Sequence, residues 1–310
     1  MPYFNYRPIA AASRWERRAF AHHWWRLYAS DRRWTPPEYR ALLTGLDPGK
    51  NAHLARMAPQ FVHVEALYRR VRRDQGDLLQ AEIQPALLEE PLATAVFQKD
   101  PRRHDHTATL SLCHCANDAD GLDHLLAYAA EQLATDGFYR LVGPTGLYPH
   151  VEAGILLDYW DQAPPQGTPY NPPYLPELLQ SRFRPLATSQ LYALPVPPEP
   201  QPAPAAAVQL RPLPLAELAQ ALLPVWQTAV ATPHFPPPDA IEVHALLRWL
   251  RPSSLSGWLA EQDGMPVGFV LLQPDFGPRL RQARGGRGWW RYAWLAATRS
   301  RPAAQGRLLA

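Results

Sequence analysis

The chain has 310 residues, 46% of them hydrophobic and 19% charged, with a formal net charge of +3. That length exceeds what one core usually fills, so two domains are expected, and the composition excludes a disordered chain. The small net charge gives no ground for nucleic-acid binding, since Lys50 and Lys99 are the only lysines and the arginine excess reads as composition bias.

The N-terminal MPYFNYRPIAAASRWERR lacks an apolar segment of signal-peptide length, and nowhere do about 18 apolar residues run together. A soluble, cytoplasmic protein is expected. Cys113 and Cys115 are the only cysteines. Two apart on one strand face, they are badly placed for a mutual disulfide and read as reduced, buried thiols.

Tyr3 to Ile9 reads as an edge strand. From Ser13 a helix follows, with the serine as N-cap and a stripe of Trp15, Ala19, Trp24 or Trp25, and Tyr28. PPEYRALLTGLDPG is a second, short helix opened by proline. Residues 58–90 fit helix and strand equally. PLATAVFQKD and TATLSLCHCA alternate as strands around the loop PRRHDHT. GLDHLLAYAAEQLATDGF is a helix stopped by Gly137. YRLVGP is a further strand, PELLQSRF a short helix and TSQLYALPV a last strand. Residues 195–207, PVPPEPQPAPAAA, form a Pro/Ala-rich linker that could span roughly 40 Å if fully extended. Beyond it come strand VQLRPL, two helices and a hairpin turned at Asp263-Gly264. The reading is therefore two copies of one α+β unit, 1–194 and 208–310, the second stopping early.

The order of elements resembles the Gcn5-related N-acetyltransferase (GNAT) fold, a mixed sheet flanked by helices. More narrowly, Gly143-Pro144, Glu152, Gly154-Ile155-Leu156, Tyr170-Asn171-Pro172-Pro173-Tyr174 and Pro176-Glu177-Leu178 resemble a bacterial family of tandem GNAT-like proteins. Trp25-Arg26-Leu27-Tyr28 and Trp34-Thr35-Pro36-Pro37 resemble its N-terminal signature, and Pro266-Val267-Gly268 the start of its second copy. The resemblance implies one divergent complete copy and one partial copy, whose phosphate loop would lie beyond QGRLLA; residue 310 is either a natural stop or a truncation. It further implies direct transfer of an acyl group from acetyl-CoA or another acyl-CoA to an amine on a small molecule or protein, without metal. Diphosphate would bind at a helix N-terminus, and a tyrosine would protonate the departing thiolate. The matching positions are Tyr174 as acid, Glu152 as base, Asn171 near the pantetheine arm, and a cofactor face of Cys115, Asn117, Gly121 and Leu122.

One departure stands out. Where GNAT enzymes carry Gln/Arg-x-x-Gly-x-Gly/Ala, this chain has Cys115-Ala116-Asn117-Asp118-Ala119-Asp120-Gly121-Leu122-Asp123, with one glycine and three aspartates that repel an anion. Asp118 or Asp120 would cap the helix instead. Alternatives stay open at several residues. Tyr174 is an acid or a packed tyrosine, and Glu152 a base or a turn cap. Cys113-His114-Cys115 is not a metal site, because alternation turns the histidine from both thiols. His22-His23, His104-Asp105-His106 and His150 read as surface. ARGGRGWWRYAW reads as a glycine-broken loop and a packed helix, with single-strand nucleic-acid binding as the remote alternative. Three functions follow in order: an N-acyltransferase, a degenerate scaffold or ligand binder in which homo-oligomers are allowed, and a nucleic-acid binder.

Overall fold

The computed structural model describes residues 4–68, 89–195, 208–214, 216–229, 234–250 and 255–309. The first unit is a mixed five-stranded sheet of β1 (Phe4–Ala10), β2 (Gln60–Tyr68), β3 (Glu89–Gln98), β4 (Thr107–Cys115) and β5 (Arg140–Thr145), in that spatial order. The first four strands pair antiparallel, and β5 joins β4 in parallel. A parallel neighbour needs a crossover, supplied by α4 (Ala119–Thr135).

Three helices separate β1 from β2: α1 (Arg14–Leu27), α2 (Tyr39–Gly45) and α3 (Ala52–Arg56). Ser13 begins α1 with a capping box, its hydroxyl accepting from the Glu16 amide while Glu16 reaches back to the Ser13 amide. Asn51 caps α3 through the Leu54 amide at 3.1 Å, a helix too short to leave a periodic signal. Trp24, Trp25 and Tyr28 are buried as the stripe requires, whereas Trp15 is 73% exposed and lies beneath the Arg18 guanidinium. A last short helix, α5 (Leu175–Gln180), packs Leu175 and Leu179 beside α4. The strand predicted at TSQLYALPV does not form: residues 184–195 carry no regular secondary structure, and Leu191, Tyr192 and Leu194 are exposed.

The second unit is a four-stranded antiparallel sheet, β6 (Val208–Leu213), β7 (Ser256–Gln262), β8 (Met265–Pro274) and β9 (Gly306–Leu309). Helices α6 (Leu218–Ala229) and α7 (Ala240–Leu250) precede β7; α8 (Gly277–Gln282) and α9 (Trp289–Thr298) precede β9. Asp263 and Gly264 both have positive φ, the requirement of a two-residue hairpin turn.

Among the described residues two large apolar cores form, with a small third cluster of Leu280, Ala283 and Leu295. One lies between the first sheet and α4 and α5, built on Val64, Phe97, Leu110, Leu122 and Leu125. The other fills the space on the α1 side and runs on into the second unit, joining Phe20, Trp24, Leu42 and Phe61 to Leu218, Trp226, Leu246 and Leu271. The two units share this core, so they are not held apart at the reach of an extended linker; residues 196–207 lie outside the described residues. Polar contacts reinforce the junction. Arg56 pairs with Asp239, and Arg102 bridges Asp100 at 2.7 Å and Glu242 at 2.9 Å. His150 stands at the edge of this network and donates Nε2–H to the Pro236 carbonyl at 3.0 Å, with its side chain buried rather than on the surface.

Candidate functional site

Strands β4 and β5 pair in register from Thr107–Arg140 to Thr109–Val142, then slip by one residue to Ser111–Thr145, where the hydroxyls of Ser111 and Thr145 meet at 2.9 Å. Beyond that vertex they part. The cause on the β4 side is a bulge: Val96 lies opposite Ser111 but Thr94 opposite His114, one residue too many, and Leu112 takes φ of 50° to absorb it. An inserted residue reverses which face each side chain takes. Leu110 and Cys113 therefore both face α4, and His114 faces α1. On the β5 side, Gly143 lies so close to β4 that a Cβ would come within 2.4 Å of the Leu110 carbonyl oxygen.

The parted strands open a cleft of about 200 Å³, lined among others by Leu112, His114, Thr145, Glu152, Tyr170 and Trp249. The chain beyond β5 folds back to wall it. Gly146 donates to the Glu152 carbonyl at 2.6 Å and Gly154 to the Pro144 carbonyl at 2.8 Å. The second unit holds the rest of that wall: the Gln166 amide donates to Asp275 at 2.9 Å, and Arg307 of β9 donates to the Gly167 carbonyl.

Glu152 lines the cleft together with Glu38, His114 and Tyr170. Burial raises its pKa above the ordinary carboxyl value, while the Arg307 guanidinium and the Trp249 N–H, 3.4 Å away, pull it down. Arg307 is itself 8% exposed, its pKa lowered by burial, and its Nε and one terminal nitrogen have no hydrogen-bond partner. His114 also lines the cleft, 2.9 Å from the Tyr28 hydroxyl and tilted against Trp24 at 48°, its pKa pushed down to about 3 by burial. It is a neutral imidazole at physiological pH; in the sequence it stood out only within Cys113-His114-Cys115, where alternation turns it from both thiols.

The two tyrosines of YNPPY go separate ways. Tyr170 enters the cleft and donates its phenol to Asp31. Tyr174 packs on the α4 side and donates to the Cys115 carbonyl at 2.8 Å; burial raises its pKa to about 12. Asn171 lines the cleft and clamps its wall, accepting from the Leu156 amide at 2.6 Å and donating to the Leu156 carbonyl at 3.1 Å. The other residues of the expected cofactor face do not reach the cleft. Cys115 and Leu122 are fully buried in the α4 core, and Asn117 is exposed. Gly121 packs against Leu92 and gives its amide to Asp118 at 2.7 Å. Of the expected site residues, then, the structure gathers Glu152 and Asn171 in the cleft and leaves Tyr174, Cys115, Asn117, Gly121 and Leu122 outside its lining.

The N-terminus of α4 has been closed by its own sequence. Asp118 is the cap, and Arg182 ties Asp123 to the Ala119 carbonyl beside it. A diphosphate arriving there would meet carboxylates in place of free amides, so the described residues do not fit that half of coenzyme A. The ARGGRGWWRYAW segment also departs from expectation: Ala283 packs, as does Leu295 just beyond it, but Trp289 and Trp290 are 62% and 71% exposed and stacked 3.7 Å apart.

No protein-family profile and no curated protein matches the sequence. A solved structure described as a tandem GNAT protein from the clavulanic acid biosynthesis pathway, without AcCoA, is similar over 89% of this chain and 76% of that one, at 14% identity and a TM-score of 0.42. A likeness that distant carries no argument about the chemistry. No helix among the described residues is long and apolar enough to cross a membrane.

Proposed function

We propose that this chain is an N-acyltransferase that moves an acyl group from a thioester donor, acyl-CoA in the first instance, directly to an amine on a small molecule or protein. The observation that carries the reading is the half-buried Glu152 carboxyl, its pKa raised by desolvation, in the wall of a cleft opened by two parting parallel strands. An amine that arrives as an ammonium ion must lose a proton before its nitrogen can attack a carbonyl. A carboxylate whose pKa is raised by burial is a better acceptor for that proton than an exposed one. The cleft is smaller than the ~300–1,000 Å³ of common ligand sites, a size that suits the acyl–amine pair itself.

Tyr174 retains its proton at neutral pH, as an acid must, but in this arrangement the proton is committed to the Cys115 carbonyl. Its role as acid rests on that bond exchanging, and Tyr174→Phe tests it through turnover at unchanged affinity.

The closed α4 N-terminus supports a second reading, a ligand-binding scaffold without transfer activity. Calorimetric titration with acetyl-CoA and with a short acetyl-pantetheine thioester separates the two. The transferase reading expects both to bind within about tenfold of each other, because the diphosphate finds no seat. It expects Asp118→Ala to improve acetyl-CoA binding alone, at a cost of about 1 kcal/mol in stability from the lost cap. No heat from either thioester at millimolar concentration, with folded protein, would leave the scaffold.

A further inference from the structure

A second cluster of functional groups lies apart from the cleft, between α1 and β2. His63 and Glu65 are two residues apart on β2, so both project to the α1 face of the sheet. His23 of α1 comes down onto them. All three are buried, at 5%, 4% and 5% exposure for His23, His63 and Glu65. His23 Nε2 stands 3.4 Å from Glu65 Oε1, and His63 Nε2 stands 3.6 Å from the same oxygen. The ligand atoms of the three side chains lie within 4.8 Å of one another.

Buried polar atoms are normally hydrogen-bonded, and three of the four ring nitrogens of this cluster are not. Both ring nitrogens of His23 and Nδ1 of His63 lack a hydrogen-bond partner. The two imidazoles are 4.5 Å apart at 35°, too tilted for a stack. Arg7 donates to Glu65 Oε2 at 3.2 Å and so fixes the carboxylate, presenting Oε1 to the two rings.

From this convergence we infer that His23, His63 and Glu65 bind one divalent transition-metal ion of the zinc type, with the remaining coordination position open to water. The spacings fit. Metal–ligand bonds of 2.0–2.2 Å in a tetrahedron put neighbouring ligand atoms about 3.4 Å apart, against 3.4 and 3.6 Å here. Two imidazoles and one carboxylate select zinc, cobalt, nickel or copper over calcium or magnesium, which demand more oxygen ligands. The opposing influences are Arg7 beside Glu65 and Arg26 beside His23, whose charges weaken any cation there. The ion would pin α1 to β2, and its position on the sheet separates it from the Glu152 cleft.

The test uses the full chain stripped with a chelator and dialysed into metal-free buffer. Titration with zinc chloride should show one ion per chain and raise the melting temperature by about 5 °C at a hundredfold excess over Kd. Cobalt should give visible bands of a low-coordinate nitrogen–oxygen site in the unmutated protein, a readout that needs no variant to fold. His63→Gln and Glu65→Gln should abolish both the stoichiometric binding and the thermal shift, while His104→Gln, at an exposed histidine, keeps them. The assignment is overturned by an absence of zinc binding in the unmutated chain, by a cobalt spectrum unchanged from the aqueous ion, or by binding that survives in His63→Gln.

Discussion

Trp249 of the second unit donates its indole N–H to Glu152 Oε1 of the first, at 3.4 Å. The carboxyl that faces the cleft is thus conditioned by a helix more than ninety positions away in the chain, and by Arg307 on β9 as well. Neither unit alone possesses this site.

Removal of the carboxyl should therefore read out directly. Glu152→Gln is expected to lower kcat/KM for thioester-to-amine transfer by about 10²–10⁴ without changing the melting temperature by more than a few degrees. The base is active when deprotonated, so the native rate should rise with pH through a carboxyl pKa above the ordinary range, and the glutamine variant should lose that limb. Arg307 lowers the Glu152 pKa, so Arg307→Met should move the limb to higher pH. A limb that stays put in Arg307→Met, or persists in Glu152→Gln, removes Glu152 from the chemistry.

Gly45 is a second point of contact between units. It sits in α2, where alanine would be favoured by about 1 kcal/mol. A Cβ there would stand 2.7 Å from the Trp249 ring. Gly45→Ala should cost about 1–3 kcal/mol as an overpacking change, seen as a lower urea midpoint. A stabilised variant would show that Trp249 moves freely, and with it the contact to Glu152.

The Arg102 network is buried enough to matter. Glu242 is 2% exposed and its pKa is raised to about 7 by burial against the pull of Arg102. Arg102→Ala would leave that carboxyl and Asp100 without their cation, a loss of about 3 kcal/mol. Equilibrium denaturation should show one lowered transition for both units, because they share a core; two separate transitions would contradict that shared core.

Stability should also fall on the acid side of neutrality. His53 and His114 are held down to about 4 and about 3, each chiefly by burial. Above pH 6.5 both are neutral folded and unfolded, and their burial costs nothing in protons. As the pH falls below about 6.5 the unfolded chain gains protons that the fold refuses, so stability declines until the folded pKa values are reached. The slope is up to about 1.4 kcal/mol per pH unit for each histidine. His114→Gln should flatten it by roughly one proton between pH 6 and 4; an unchanged slope would mean that His114 is hydrated.

Much of the fold was legible because its signals are local. Alternation in TATLSLCHC and ATAVF, the Ser13 cap and the Asp263-Gly264 turn each act within a few residues, and each element formed. What failed to read depended on distance along the chain. TSQLYALPV has strand-like residues, but no sheet edge accepts it. Trp15 matches the helical stripe yet falls beyond the edge of what the core covers. Glu152 was visible through its resemblance to family positions, whereas His23 was not, since adjacent histidines near a surface charge run give no hint that His63 and Glu65 wait on the strand that α1 packs against. Tyr174 shows the limit most plainly: its sequence neighbours fixed the backbone, but the Cys115 carbonyl, 59 positions earlier, decided where the phenol points.

The stacked pair on α9 has one more consequence. Trp289 and Trp290 hold their rings 3.7 Å apart at 27°, close enough for the electronic transitions of the two indoles to couple. Such coupling splits a single absorption into paired circular dichroism bands of opposite sign. The chain therefore carries an optical label of its own on a helix that does not line the cleft. Anything that settles on those rings or pulls them apart would collapse the paired bands, with no dye attached and no residue changed.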